Sequence, residues 1–167
     1  MYKLIKIYRK ILKRYYKYIV VKTVKEYQEP LRINFKTSLN RNTYLGKNVN
    51  FNGLKIRGNG EVRIGDNFHS GPECIILTQI HNYEGDFIPY DNTYITKNVV
   101  IGDNVWFGVR VMVLPGVTIG EGAIIQAGTV VVKDIPPLAI VGGHPGQIFK
   151  YRNKGHYYRL KSEGKFY

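Results

Sequence analysis

The sequence predicts an all-β fold, a parallel β-helix flanked by a basic amphipathic helix in front and a short basic helix or arm behind. Three observations carry this prediction. An apolar period of six residues runs through the second half of the chain, a corner motif returns about once per eighteen residues, and eighteen of the 167 residues are glycine. Neither an α-helix nor an ordinary alternating strand keeps a period of six. One short strand and one turn per repeat does, so that three repeats close a triangular coil that stacks on the next at strand spacing.

From Ile95 to Pro136 the first position of each repeat reads Ile95, Ile101, Phe107, Val113, Ile119, Ile125 and Val131. The fifth reads Val99, Val105, Val111, Val117, Ala123, Thr129 and Ile135. Ile101-Gly102-Asp103-Asn104 and Ile119-Gly120-Glu121-Gly122 stand one full coil apart, and Gly and Asn accept the positive φ that such corners require. The corner returns upstream as Leu45-Gly46-Lys47-Asn48 and Ile64-Gly65-Asp66-Asn67, with one residue more than a coil between them, which one insertion near Arg57 or Gly58 explains. Between Ile64 and Ile101 the excess is about nineteen residues, a loop leaving the coil over roughly 80–96. Pro136-Pro137 ends the repeats, since proline removes a ladder donor. The organisation expected is therefore a basic N-terminal segment over 1–30, a β-helix over 31–137 and a basic C-terminal extension over 138–167.

Charge is distributed unevenly. The formal net charge is +13, and Lys3, Lys6, Arg9, Lys10, Lys13, Arg14, Lys17, Lys22 and Lys25 all precede the first acid, Glu26. Between them Leu4, Ile7, Tyr8, Ile11, Tyr15, Tyr18 and Ile19 recur at three and four residues, the pattern of an amphipathic helix. Lysines interrupt any stretch long enough for a signal peptide or a span, so residues 1–25 can lie on an anionic membrane but not cross it. A helix capping the open end of the β-helix is the other reading of the same face. No nucleic-acid-binding motif accompanies the charge, and no nucleic-acid partner is expected. Cys74, alone, cannot form an internal disulfide and sits at a fifth, core position, which points to packing and to a reducing, cytoplasmic setting.

A rod of stacked coils catalyses nothing by itself, so the break in the repeat is where chemistry is expected. It opens with Thr78-Gln79-Ile80-His81-Asn82-Tyr83-Glu84-Gly85-Asp86. A histidine at neutral pH can take a proton from a hydroxyl or amine as it attacks. His69 and His156, outside the core phase, are expected to be solvated or locally bonded.

Four blocks in Val100 to Lys150 resemble the hexapeptide-repeat acyltransferases, especially the galactoside, maltose, xenobiotic and polysaccharide O-acetyltransferases. They are Ile101-Gly102-Asp103-Asn104-Val105-Trp106-Phe107-Gly108, Leu114-Pro115-Gly116-Val117-Thr118-Ile119-Gly120, Val132-Lys133-Asp134-Ile135-Pro136-Pro137 and Gly143-His144-Pro145. The resemblance covers the chain from Leu45 onward. It implies a left-handed β-helix assembled as a homotrimer, with acetyl-CoA as donor in the groove between neighbouring prisms and His81 as general base in direct transfer, without an acyl-enzyme. It places Trp106 beside thioester and acceptor, Glu73 where an acceptor-contacting asparagine is common, and Asn82 near the acceptor. For the cofactor it implies Gly108, Ala127, Val132 and Lys133, and, because Gln147 replaces the usual cation after the Gly143-His144-Pro145 block, Lys150 or Arg152 at the 3′-phosphate. No metal is expected: a zinc site between subunits, as in carbonic-anhydrase-like β-helices, needs a histidine pair four residues apart, and no such pair occurs.

The reaction so implied is acetyl transfer to a sugar hydroxyl, of a bacterial surface polysaccharide or its lipid-linked precursor at the inner face of the membrane. A small soluble acceptor, such as a free sugar, amino sugar, serine or antibiotic, is the alternative. A non-catalytic scaffold or binding protein is the alternative of another class.

Overall fold

A computed structural model describes residues 2–167, with side chains from Leu4; Lys3 lies outside the described side chains. A left-handed parallel β-helix occupies most of the chain, with helix α1 (Tyr2–Thr23) before it and α2 (Lys154–Ser162) after it. Three parallel sheets form the faces of the prism. Face A stacks Thr43–Leu45, Val62–Ile64, Val99–Ile101 and Thr118–Ile119. Face B stacks Leu31–Phe35, Val49–Asn52, His69–Ser70, Trp106–Phe107, Ile124–Ile125 and Ala139–Gly142. Face C stacks Lys55–Arg57, Ile75–Leu77, Met112–Val113 and Val130–Val131.

The six-residue period is the core. Ile101, Phe107, Val113, Ile119, Ile125 and Val131 point inward and are buried, as are Val99, Val105, Val111, Val117, Ala123, Thr129 and Ile135. Phe51, Phe68 and Phe107 stack in the core behind face B with ring centroids 5.8 and 5.0 Å apart, all fully buried. At the corner between faces A and B the positive-φ positions are Asn48, Asn67 and Asn104, then Gly122. Their amides form a ladder, Asn48 Nδ2 donating to Asn67 Oδ1 at 2.9 Å and Asn67 Nδ2 to Asn104 Oδ1 at 2.8 Å. Asparagine here both tolerates the left-handed backbone and satisfies its neighbour.

Four expectations need correction. Ile95 is not a core position: it pairs with Ile80 in an antiparallel hairpin outside the coil, where strand alternation happens to match the six-residue phase. The long coil does not carry one insertion. Register pairs Asn50 with His69 but Lys55 with Ile75, so the corner around Gly53 is one residue short and the Gly58-Asn59-Gly60 corner two residues long. Gly53 and Gly58, at φ of +100° and +94°, absorb the two irregular turns. The β-helix also runs one strand past Pro136-Pro137, because Ala139–Gly142 still pairs in parallel with Ile124–Ile125.

Finally, the expected apolar stripe of α1 does not cap the coil. Val20, only 1% exposed, packs on the first coil with Tyr16, Val21 and Val24, whereas Leu4, Ile7, Tyr8, Ile11 and Tyr18 face outward.

The C-terminal extension is both arm and helix. Gln147–Tyr151 turns back antiparallel along Ala139–Gly142, and α2, N-capped by Asn153 Oδ1 accepting from the His156 N–H at 2.8 Å, folds over face B.

Candidate active site

The nineteen-residue excess leaves the coil at the corner where face C passes into face A. Gln79–His81 and Tyr94–Thr96 form its hairpin stem. Its turn is held by Asp91, whose carboxylate accepts from the Thr93 hydroxyl at 2.5 Å and from the N–H groups of Thr93 and Asp86; the Thr93 hydroxyl first, then those amides, hold the carboxyl below its ordinary range. At the tip Phe87 is 71% and Ile88 100% exposed, apolar groups with nothing over them in a single chain.

His81 ends the first stem strand, solvent-exposed. Its ring stacks on Tyr90 at 3.9 Å between centroids and 21° between planes, and leans on Tyr94 at 4.8 Å. Two tyrosine faces thus orient an imidazole whose nitrogens remain open to a substrate. Asn82 beside it is committed to the loop: its Nδ2 donates to Thr93 Oγ1 at 3.1 Å and its Oδ1 accepts from the Glu84 N–H at 3.1 Å.

Glu73 lies off the excursion loop. It occupies a positive-φ corner between faces B and C, and its carboxylate pairs with Arg110 Nε, one coil on at the same corner, at 2.6 Å. That corner also holds Gly108, Ala127 and Gly128. A Cβ on Gly108 would sit 2.6 Å from the Ala127 backbone N, so stacking of the coils alone demands glycine there. Above Gly128 there is open space. Val132 and Lys133 lie across face C from Ala127, at the corner from which the excursion loop leaves one coil pair below. Both are exposed, and among the described residues neither Lys133 nor Lys150 forms an ion pair. Arg152 is occupied, its guanidinium over the Tyr157 ring at 4.7 Å and donating to Gly122 O. Lys150 is therefore the freer of the two cations considered for a phosphate.

Cys74 is fully buried and its thiol donates to Gly108 O at 3.1 Å; burial pushes its pKa up to about 11, which leaves it a packing group and no nucleophile.

Trp106 stands on the outer side of face B, 52% exposed, in register between His69 and Ile124. With Asn50 and His69 it floors a groove of about 560 Å³ whose far wall is Arg152, Tyr157, Leu160, Lys161 and the residues 165–167. Glu121 ties that wall down: its carboxylate accepts from Lys161 Nζ at 2.5 Å and from Tyr157 OH at 2.8 Å. Burial opposes the charge on Glu121, but Lys161 and then Tyr157 outweigh it and hold the carboxyl below its ordinary range.

His69 was not singled out by sequence reasoning, although it precedes Trp106 by the same interval that separates Ile64 from Ile101. Its Nε2 lies 3.3 Å from Asn52 Nδ2, and burial lowers its pKa. Because the C-to-A corner of a triangular prism is opposite face B, His81 and Trp106 lie on opposite sides of one chain. A single copy does not bring them together.

The outer side of face C is apolar, unusual for a sheet facing solvent. Ile75, Met112 and Val130 form one outward column in register, with Leu77, Leu114 and Val132 beside it.

Comparison with known proteins agrees with this architecture. The family model described as bacterial transferase hexapeptide (six repeats) matches residues 98–133. Galactoside O-acetyltransferase of Escherichia coli is 36% identical over 125 residues, which is 72% of this chain and 61% of the relative. The chain thus spans about three fifths of the length of that relative. A hexapeptide-repeat-containing acetyltransferase from Vibrio cholerae superposes with a TM-score of 0.60 at 30% identity, covering 78% of this chain and 72% of that one. The same Vibrio protein in complex with acetyl coenzyme A gives 0.61 at 27% identity over 77% and 66%. A maltose O-acetyltransferase from Clostridium difficile gives 0.61 at 31% identity over 77% and 67%. By its coiled core, its corner motifs and these relatives, the chain belongs to the hexapeptide-repeat acetyltransferase family.

Proposed function

We propose that the protein transfers acetyl from acetyl-CoA to a hydroxyl of a sugar, with His81 as the general base. The observation that carries the reading is the position of His81, exposed and oriented between two tyrosines at the stem of the long excursion from the coil. The Vibrio relative solved with acetyl coenzyme A supports the donor. In the chemistry proposed, the imidazole takes the acceptor's hydroxyl proton as the oxygen attacks the thioester carbonyl. The tetrahedral oxyanion then collapses, the carbon–sulfur bond breaks, and the departing thiolate recovers the proton from the imidazolium.

The donor is assigned to the outer side of face C. The open backbone at Ala127 and Gly128 admits a pantetheine chain, Val132 flanks it, and Lys133 offers charge to the phosphates, with Lys150, on face B, reaching them from a neighbouring copy. Gly108 belongs to this surface through its backbone.

A homotrimer completes the site. The apolar columns of face C and the bare Phe87-Ile88 tip are covered when prisms pack side by side, and the opposite placement of His81 and Trp106 is then resolved by taking one from each of two neighbours. Trp106 and the groove beside it serve the acceptor, with Glu73 and Asn82 shaping the rim through their corner and loop.

The acceptor proposed is a glycan of a bacterial surface polysaccharide or its lipid-linked precursor. A free galactoside or maltose-like sugar is the second reading, favoured by the names of two relatives. Coenzyme A release measured across both acceptor classes separates them. Removing a positioned base costs about 10² to 10⁴ in rate, so His81→Ala is expected to lose most turnover while calorimetry reports unchanged CoA binding. Near wild-type turnover by His81→Ala removes the histidine from the mechanism, and no CoA binding at all removes the reaction.

A further inference from the structure

Helix α1 presents an apolar stripe that the fold does not use. Its attachment is confined to the C-terminal third, where Val20, Tyr16, Val21 and Val24 pack against the first coil. The stripe itself points away: Leu4 is 71% exposed, Ile11 59% and Tyr18 58%, with Ile7 and Tyr8 exposed between them. At 100° per residue these five side chains fall within one sector of about 100°. Lys6, Lys10, Lys13 and Lys17 lie on the other side of the helix, and Arg14 borders the stripe beside Ile7. Among the described residues of α1 there is no acid, and Lys17 is paired with the carboxylate of Glu29 at 2.8 Å.

We infer that α1 docks the protein on an anionic membrane surface, lying in its plane with the Leu4–Tyr18 stripe in the acyl boundary and its lysines and arginines at the headgroups. Charge selects this occupant. Pairing the stripe with that of a second copy would bring two sets of cations together with no acid to offset them, whereas anionic headgroups neutralise them. Tyrosines at positions 8 and 18 have the amphipathic ring that settles at the interface. No described helix is long and apolar enough to cross a bilayer, so the contact is peripheral. The first coil, where α1 is attached, then faces the membrane. The inference stands apart from the acetyl-transfer reading, which requires nothing of α1.

The test uses the full chain and a variant carrying Ile7→Glu and Ile11→Glu, both outward and away from Val20. Cosedimentation is measured with phosphatidylcholine vesicles and with vesicles containing about one third phosphatidylglycerol, in low salt and in about 0.5 M salt. The wild type is expected to bind the anionic vesicles and not the zwitterionic ones, and to lose at least about tenfold in affinity in high salt. The double variant, with unchanged circular dichroism, is expected to lose binding and to keep wild-type CoA release with a soluble acceptor. Equal binding by wild type and variant, or no wild-type binding to anionic vesicles, overturns the inference. So does a fall in oligomer size caused by the variant in vesicle-free sedimentation, which would assign the stripe to a second copy.

Discussion

Gly108→Ala asks whether the small residues beside the proposed donor surface serve the ligand or the coil. The added Cβ would lie 2.6 Å from Ala127 N, 3.0 Å from Ala127 Cα and 3.0 Å from Gln126 C, all backbone atoms of the next coil. No side-chain rotation relieves such contacts. The two coils must part locally, at the point where Gly108 N–H donates to Ile125 O at 2.8 Å and Trp106 N–H to Ala123 O at 3.0 Å. Overpacking of this kind costs about 1 to 3 kcal/mol, which for a chain of this length lowers the unfolding midpoint by about 2 to 12 °C. Thermal unfolding followed by circular dichroism measures it, with calorimetry of CoA binding alongside. Gly128→Asn is the control: the space above Gly128 is open, its φ of +72° suits asparagine, and the chain already places asparagine in that conformation at 48, 67 and 104. An unchanged midpoint in Gly108→Ala, with CoA affinity alone reduced, would refute the stacking argument and return the glycine to the ligand.

Two further outcomes follow from buried polar groups. Thr129 Oγ1 is buried without a hydrogen-bond partner at a position filled by Val111 in the coil below, so Thr129→Val is expected to raise stability by about 1 kcal/mol in denaturant unfolding; a loss of stability would mean that the hydroxyl is satisfied. Glu121, held below the ordinary carboxylate range, stabilises the docked α2 at neutral pH and loses that contribution only as pH falls beneath that range, through its lowered pKa. Emission from Trp106, the single tryptophan, reports the groove under α2 and is expected to change in that acid range in the wild type and not in Glu121→Gln; identical acid profiles would release Glu121 from the role.

The β-helix was legible because each repeat is a local signal: one inward residue every six positions, and a corner that needs Gly or Asn whatever surrounds it. The loop was legible as an excess of length, and His81 as the histidine at its head. What a sum of spacings cannot resolve is how irregularity is shared between corners, and so the short turn at Gly53 and the long one at Gly58 to Gly60 looked like one insertion. Ile95 failed for a related reason, since a two-residue alternation in the hairpin coincides for one step with the six-residue beat. Periodicity also names the residues that share a stripe without saying what covers it. The outward Leu4–Tyr18 face of α1 and the apolar columns on face C are both of that kind. The groove on face B was hidden because its roof comes from the tail, docked through Lys161 and Tyr157 to Glu121, contacts with no sequence pattern. His69 could have been found from its spacing to Trp106, but only once the loop had been excised from the count.

The central claim is that acetyl transfer uses His81 of one copy with Trp106 of another. Co-expressing His81→Ala chains with Trp106→Ala chains, each impaired alone, tests it directly through CoA release by the mixed assembly. Random mixing in a trimer leaves about a quarter of the sites with both side chains intact, so activity is expected to recover to about a quarter of the wild-type rate. Mixed assemblies that form and yet stay as inactive as either parent would contradict the shared site.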